Sequence, residues 1–293
     1  MTYNFIKSGG ELSNKQANMI LLIFLLIMII FIIGIIAFNS QEKLKFEEKL
    51  SKPDLKEDNN QFKKISYESY QQWQKLFDKY ETTERGRLVE IPDIRIAKFP
   101  SDMKQIASVA QKKKMFFNIM TIGAYHANQE LLKQRKYLNE IIEHYRNDKS
   151  LSAENKRWLQ KQFKRYNVKV TSDSDFIVQL QQLKKRLDII PISLILAQSA
   201  VESGWGTSRF VVAANNIFGE WTFDPQEPGI VPKKRPANAS YRIRKFSSIE
   251  AAINSYLLNL NSHYAYKKLR KIRSELRTED KKLNSLQLAK GLI

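Results

Sequence analysis

One apolar run, MILLIFLLIMIIFIIGIIAF at residues 19–38, stands apart from the patterned chain that follows it. At about 1.5 Å per residue it would span roughly 30 Å as a helix, the thickness of a bilayer core. The run carries no charge, exceeds the apolar part of a secretory signal, and is followed by AFNSQEK, which offers no small-x-small cleavage site. It therefore predicts one transmembrane anchor after a short tail, residues 1–18. Lys7 and Lys15 precede the span while Lys43, Lys45, Lys49 and Lys52 follow it, so charge counts do not orient it.

Residues 39–84 read as a polar stalk and an aromatic helix. The stretch 39–64 is charge-rich, contains Pro53 and shows no sustained apolar period. In ISYESYQQWQKLFDKY, residues Tyr67, Tyr70, Trp73, Phe77 and Tyr80 recur every three or four positions and would share one helix face. Such a stripe serves either as a sugar-binding surface or, as aromatics are more commonly used, as core. GRLVEIPDIRIAKFP, broken by Pro92 and Pro100, predicts extended chain. Ser101 or Asp102 is placed to cap a long helix toward Arg146, Ser152 to cap another through Tyr166, and a third is expected from near Ser174 with Phe176, Leu180, Leu183 and Leu187 as its stripe. Pro191 and Gly204 bracket a further helix, ISLILAQSAVES, and Ser247 or Ser248 caps SSIEAAINSYLLNLNSHYAY.

Charge narrows the partners. Lys and Arg total 49 against 30 acidic residues, a formal charge of +19, which suits a polyanion: nucleic acid, anionic lipid or an acidic wall polymer. No nucleic-acid motif or aromatic-basic platform is present, so no nucleic acid is expected. With no cysteine and His126, His144 and His263 far apart, disulfides, thiolate chemistry and a zinc site are not expected. Ser203 lacks the glycine of a nucleophile elbow. No metal or cofactor is implied.

The candidate chemistry lies at AQSAVESGWG, residues 197–206. Ile195, Ser199 and Glu202 stand at i, i+4 and i+7, so Glu202 extends an aliphatic stripe to the edge of the core. Burial there would raise its pKa, as a general acid near neutral pH requires. Gly204 and Gly206 permit a sharp turn that lets Trp205 wall the acid. Alternatively, the glutamate only hydrogen-bonds nearby amides. Downstream come AANNIFGEW, a Pro/Gly-rich loop, the alternating ASYRIRKF and the capped helix.

Taken in order, E-S-G-W-G-T-S, N-N-I-F-G, G-I-V-P-K-K-R, R-K-F-S-S and N-L-N-S-H-Y-A-Y resemble the bacterial Bax family. IPDIRIAKFPSDM and KKKMFFNIM fit it as well, so the likeness runs from about Ile91 to the end. The resemblance implies a wall-degrading endo-β-N-acetylglucosaminidase of glycoside hydrolase family 73. The implied fold is mainly α (α+β): a lysozyme-like helical domain at 176–293, with a small β-hairpin lobe from about Trp221 to Phe246. Residues 85–175 would be the helical N-terminal part of the region, and the anchor would hold the domain outside the cytoplasmic membrane, in the periplasm.

Residue by residue, the resemblance makes Glu202 the proton donor to a β-1,4 bond between N-acetylglucosamine and N-acetylmuramic acid. Asn215, Asn216, Phe218 and Gly219 would shape the cleft floor and Trp205 would support the acid. Tyr256 is either a cleft residue or a core aromatic, and Phe246 stands where relatives often carry tyrosine. Glu227 is the candidate second carboxylate, with Glu220 and Asp224 as alternatives, unless the substrate's own acetamido group does that work. Glu250 suits a helix N-terminus better than chemistry. The resemblance also implies a segment with cleft tyrosines beyond LNSLQLAKGLI, so the domain is expected to be cut short at Ile293. The acid-free run KKRPANASYRIRK serves either to attract muramyl-peptide carboxylates or as a solvated basic loop. The partners are then glycan strands of peptidoglycan and the membrane. A lytic transglycosylase and a non-catalytic wall-binding scaffold are the rival readings.

Overall fold

A single long helix, α2 (Val109–Asp148), is the element on which the others assemble. The computed structural model describes residues 63–83, 87–170, 176–233, 235–236 and 238–292. The predicted span at 19–38 and most of the stalk fall outside that range. Among the described residues no helix is long and apolar enough to cross a membrane.

Before α2 come β1 (Lys63–Ile65), α1 (Tyr70–Phe77) and β2 (Ile94–Ile96). After it come α3 (Ala153–Arg165), α4 (Phe176–Arg186), α5 (Ile192–Ser203) and α6 (Arg209–Ala214). The strands β3 (Trp221–Thr222), β4 (Gly229–Ile230) and β5 (Arg242–Arg244) follow, then α7 (Ile249–Ser262), α8 (Lys267–Thr278) and α9 (Ser285–Ala289). The protein is mainly helical, with the three short strands gathered in one antiparallel sheet of order β3-β5-β4. This sheet occupies the stretch where the hairpin lobe is expected.

From Met115 to Asn128 every residue of α2 except Phe117 and Tyr125 is buried. A helix closed on all sides needs neighbours all round, and α1, α4, α5, α7 and β2 supply them. At Gly123 the approach is so close that a Cβ would stand 2.7 Å from the Cδ1 of Ile253 on α7. Asn128 then clamps the chain entering α5: its Nδ2 donates to the Ile190 carbonyl at 2.7 Å, and its Oδ1 accepts from the Ile190 amide at 3.3 Å.

Several local expectations shift. Neither Ser101 nor Asp102 caps the long helix; Ser108 does, accepting from the Gln111 amide, while Asp102 accepts from the Tyr70 amide and ties the loop to α1. Lys63–Ile65, which reads as the end of the linker because only Ile65 is apolar, pairs in parallel with Ile94–Ile96. The aromatic stripe is core: Trp73 and Phe77 are buried on α1, and Tyr67 meets Trp73 edge-on at 5.5 Å. Ser152 and Ser248 cap α3 and α7.

Behind α5 lies a buried ionic knot. Asp188 accepts from Arg277 at 3.0 and 3.1 Å and faces Arg135 and Arg273 at 3.5 and 3.8 Å. Arg273 also donates to the carbonyls of Lys185, Arg186, Asp188 and Ile189 and to Asn261 Oδ1. A guanidinium at the end of α4 thus satisfies carbonyls that lack helical partners. Burial alone would push the Asp188 carboxyl up, but Arg273, Arg135 and Arg277 together hold it below its ordinary value. Burial pushes Arg273 down to about 10, still far above neutral pH, so it keeps its charge.

Because its folded-state pKa is depressed, Asp188 contributes stability that is present above the unfolded value of roughly 3.9 and lost as pH falls through the folded one. Asp188→Asn leaves the arginines without a counter-charge. It is expected to cost about 3–5 kcal/mol in denaturant unfolding at pH 7, with the penalty shrinking at pH 3; a pH-independent penalty contradicts the assignment.

Candidate active site

The last turn of α5 leaves the core, and this sets the exposure of Glu202. Ile195 and Ser199 are fully buried as expected, but Glu202 is exposed and Ser203 takes the buried position. The expected crowding by the core is therefore only partial. The surrounding protein nevertheless desolvates the Glu202 carboxyl enough to raise its pKa. The carbonyl end of α5 acts in the same direction, since the negative pole of a helix disfavours an anion in its last turn.

The turn after Glu202 is left-handed at three successive residues: Gly204, Trp205 and Gly206 have φ of 55°, 60° and 76°. Gly206 sits between rings, where a Cβ would stand 3.2 Å from Phe116 and 3.3 Å from Phe99. Trp205, a side-chain residue in a region that favours glycine, costs about 1–3 kcal/mol of strain. Its indole is held edge-on by Phe116 and Phe117 at 5.7 and 5.3 Å and lies under Lys113 Nζ at 4.7 Å. Trp205 anchors the turn to α2, and Ser203 Oγ closes it by accepting from the Gly206 amide at 2.9 Å.

N-N-I-F-G divides into separate tasks. Asn215 ends α6 in the left-handed region and donates to the Phe246 carbonyl at 3.1 Å. Asn216, buried, donates to the carbonyls of Glu220 and Arg244, both at 2.8 Å, and accepts from the Glu220 amide at 2.9 Å. Ile217 fills core. Phe218 stacks on Tyr256 of α7 with centroids 3.9 Å apart and planes within 5°. Gly219, at φ 67°, makes the turn that delivers Glu220.

Glu220 is a carboxylate that, like Glu202, acts electrostatically on Tyr256 and Tyr266. Ser255 Oγ on α7 donates to Glu220 Oε2 at 2.7 Å, and Arg244 Nη1 stands 3.7 Å away. Burial pushes the Glu220 carboxyl up, with Ser255 and Arg244 opposing and Glu227 assisting. Its Oε1 and the Tyr256 hydroxyl are buried without a hydrogen-bond partner among the described residues. The Tyr256 hydroxyl is raised by burial, then by Tyr266, Glu202 and Glu220, and the Tyr266 hydroxyl by burial, then by Glu220 and Glu202. The same two carboxylates thus act on the same two phenols.

Glu227 shares Arg244 with Glu220, pairing with its Nη2 at 2.8 Å, and Asp224 accepts from the Gln226 amide in its loop. Glu250 accepts from the Ile96 amide at 3.0 Å and faces Arg95 at 3.8 Å, fastening α7 to β2. In the basic run, Arg235 binds the Tyr241 carbonyl, Arg242 the carbonyls of Asp224 and Glu227, and Arg244 the two glutamates. Lys233 and Lys245 remain exposed. Among the described residues no group of three or more potential ligands could hold a metal.

Residues 177–290 match the family model described as glucosaminidase, mannosyl-glycoprotein endo-beta-N-acetylglucosaminidase. That segment resembles a glucosaminidase-type domain. The chain is also similar to protein bax of Escherichia coli (strain K12), 32% identical over 187 residues that make up 63% of each chain. It therefore spans less than two thirds of that relative's length. No solved structure matches it significantly.

Glu202, Glu220, Ser255, Tyr256 and Tyr266 all fall inside the glucosaminidase-type domain, while α2, which carries Phe116 and Phe117, lies before it. Tyr266 closes the motif N-L-N-S-H-Y-A-Y and sits in a 3-10 turn at Tyr264–Tyr266; membership of that motif is the only signal the sequence carries for it.

Asn216 makes a direct test of how the domain presents Glu220. Asn216→Ala orphans one amide and two carbonyls at a buried position, and at about 0.5–1.5 kcal/mol per hydrogen bond it is expected to cost roughly 2–4 kcal/mol. Urea unfolding of both proteins checks this; a loss under 0.5 kcal/mol contradicts the clamp.

Proposed function

We propose that the protein is a peptidoglycan hydrolase that cuts the β-1,4 bond between N-acetylglucosamine and N-acetylmuramic acid, with Glu202 as general acid. The observation that carries this reading is that Glu202, with a raised pKa and an exposed approach, and Glu220, also raised, both act on the Tyr256 and Tyr266 hydroxyls. Residues 19–38 would tether the domain to the cytoplasmic membrane on its outer side, where the wall is found.

The chemistry needs one carboxyl protonated and one ionised. Glu202, reachable by substrate, gives its proton to the glycosidic oxygen as the bond to the sugar breaks. A bound glycan displaces water from the exposed carboxyl and strengthens its hold on that proton. Glu220, steadied by Ser255 and Arg244, is suited to remain the anion that faces the developing positive charge or activates water. Glu227 is less suited, because Arg244 already neutralises it. A transglycosylase would form a 1,6-anhydro end, and the buried second carboxylate favours the hydrolytic route.

Glu202→Gln is expected to lower release of muropeptides from purified wall by about 100-fold or more, the usual share of a general acid. Mass spectrometry should find a reducing N-acetylglucosamine end on the wild-type products. Undiminished release by a folded variant, or an anhydro end, refutes the reading; binding to wall with no release by the wild type supports a scaffold instead.

Activity requires Glu202 protonated and Glu220 ionised, so the rate should fall at both pH extremes. Ser255→Ala removes a hydrogen bond that favours the Glu220 anion, raising that pKa. The acid limb of the pH–rate profile should then move to higher pH with the alkaline limb unmoved. A shift of the alkaline limb alone would reverse the assignment of the two acids.

A further inference from the structure

The sheet has a second face that the chemistry leaves unused. Glu220 continues the ladder, since the Arg244 amide donates to its carbonyl at 3.0 Å, and side chains alternate along a strand. Glu220 and Thr222 therefore share one face, opposite Arg244 and Arg242, and Trp221 shares the other with Ile243 and Ile230. On that second face Trp221 meets Tyr241 at 4.5 Å and 69°, and Phe223 meets Tyr241 at 6.4 Å and 68°. Trp221 is 39% exposed and Phe223 64% exposed. One exposed aromatic needs no explanation, but two exposed rings that both pack on a third, half-buried one mark an interaction surface.

Rings, not aliphatic chains, make this surface, and rings present flat apolar faces to the CH faces of sugars. Its setting is cationic: Arg235 donates to the Tyr241 carbonyl, Lys233 and Lys245 are exposed, and residues 233–245 contain no acidic side chain. A glycan bearing carboxylates matches both features. We propose that Trp221, Phe223 and Tyr241 hold a second stretch of wall glycan, apart from the stretch being cut. This rests on the glycan reading of the Glu202 site and adds to it a means of staying on an insoluble polymer between cuts.

The test uses the full chain in three variants, Trp221→Ala, Phe223→Ala and the conservative Trp221→Phe, each with an unchanged melting curve. Binding to purified sacculi is measured in the Glu202→Gln background, and turnover of a short soluble N-acetylglucosamine–N-acetylmuramic acid oligomer in the active one. The alanine variants should bind sacculi about tenfold more weakly, near 1.4 kcal/mol, while soluble turnover stays within about twofold and Trp221→Phe restores most of the binding. Equal losses on soluble and insoluble substrate would place the rings in the cleft and overturn the proposal. So would unchanged sacculus binding, or a loss seen only on anionic phospholipid vesicles. If the wild type cuts no glycan yet its sacculus binding still depends on Trp221, the hydrolytic reading fails and this one stands.

Discussion

The indole of Trp205 against α2 is the contact on which the site depends. A helix end with three left-handed residues has no reason of its own to hold one course, and Trp205 is in a conformation that costs energy. The strain persists because Phe116, Phe117 and Lys113 hold the ring while the Gly206 backbone is packed against Phe99 and Phe116. Phe99 comes from the chain before α2, and Phe116 and Phe117 from the part of α2 that is buried on nearly every side. The direction in which α5 ends, and with it the place of Glu202, is thus fixed by a segment outside the glucosaminidase-type domain. A fragment beginning at residue 177 would lack the rings that receive Trp205.

The two acids illustrate opposite ways of holding a proton. Glu220 is enclosed and wired to Ser255 and Arg244, so its charge state answers to fixed neighbours. Glu202 stands in the open at the negative end of a helix, with no hydrogen bond among the described residues to oppose desolvation. Its affinity for the proton therefore responds to what covers it.

Helix positions, most caps and the sheet lobe were legible because they rest on local pattern: periodic leucines on α4, serines before α3 and α7, proline and glycine around α5. The strand pairing of Lys63–Ile65 was not, since a single apolar residue carries no period and its partner lies some thirty residues on. Glu202 was expected at the edge of the core and is more exposed than its stripe implied, because a helical wheel does not say where a helix leaves the core. The settings of Glu220 and Glu227 were not legible either, since they depend on Gly219 turning Glu220 toward Ser255 of α7 and on Arg244 reaching both carboxylates. Such choices depend on contacts between residues distant in sequence, which no window along the chain contains.

Strands this short do not make a stable sheet by themselves. The lobe is held instead by side chains that cross it: Asn216 ties Glu220 to Arg244, Arg242 gathers the loop at Asp224 and Glu227, and Arg244 reaches Ser255 on α7. Every one of these either positions an acid or neutralises one. The arginines of the basic run are therefore engaged within the lobe, while Lys233 and Lys245 remain exposed. Stability of the lobe and placement of Glu220 are the same set of bonds, so a substitution that loosens the sheet must also move the carboxylate.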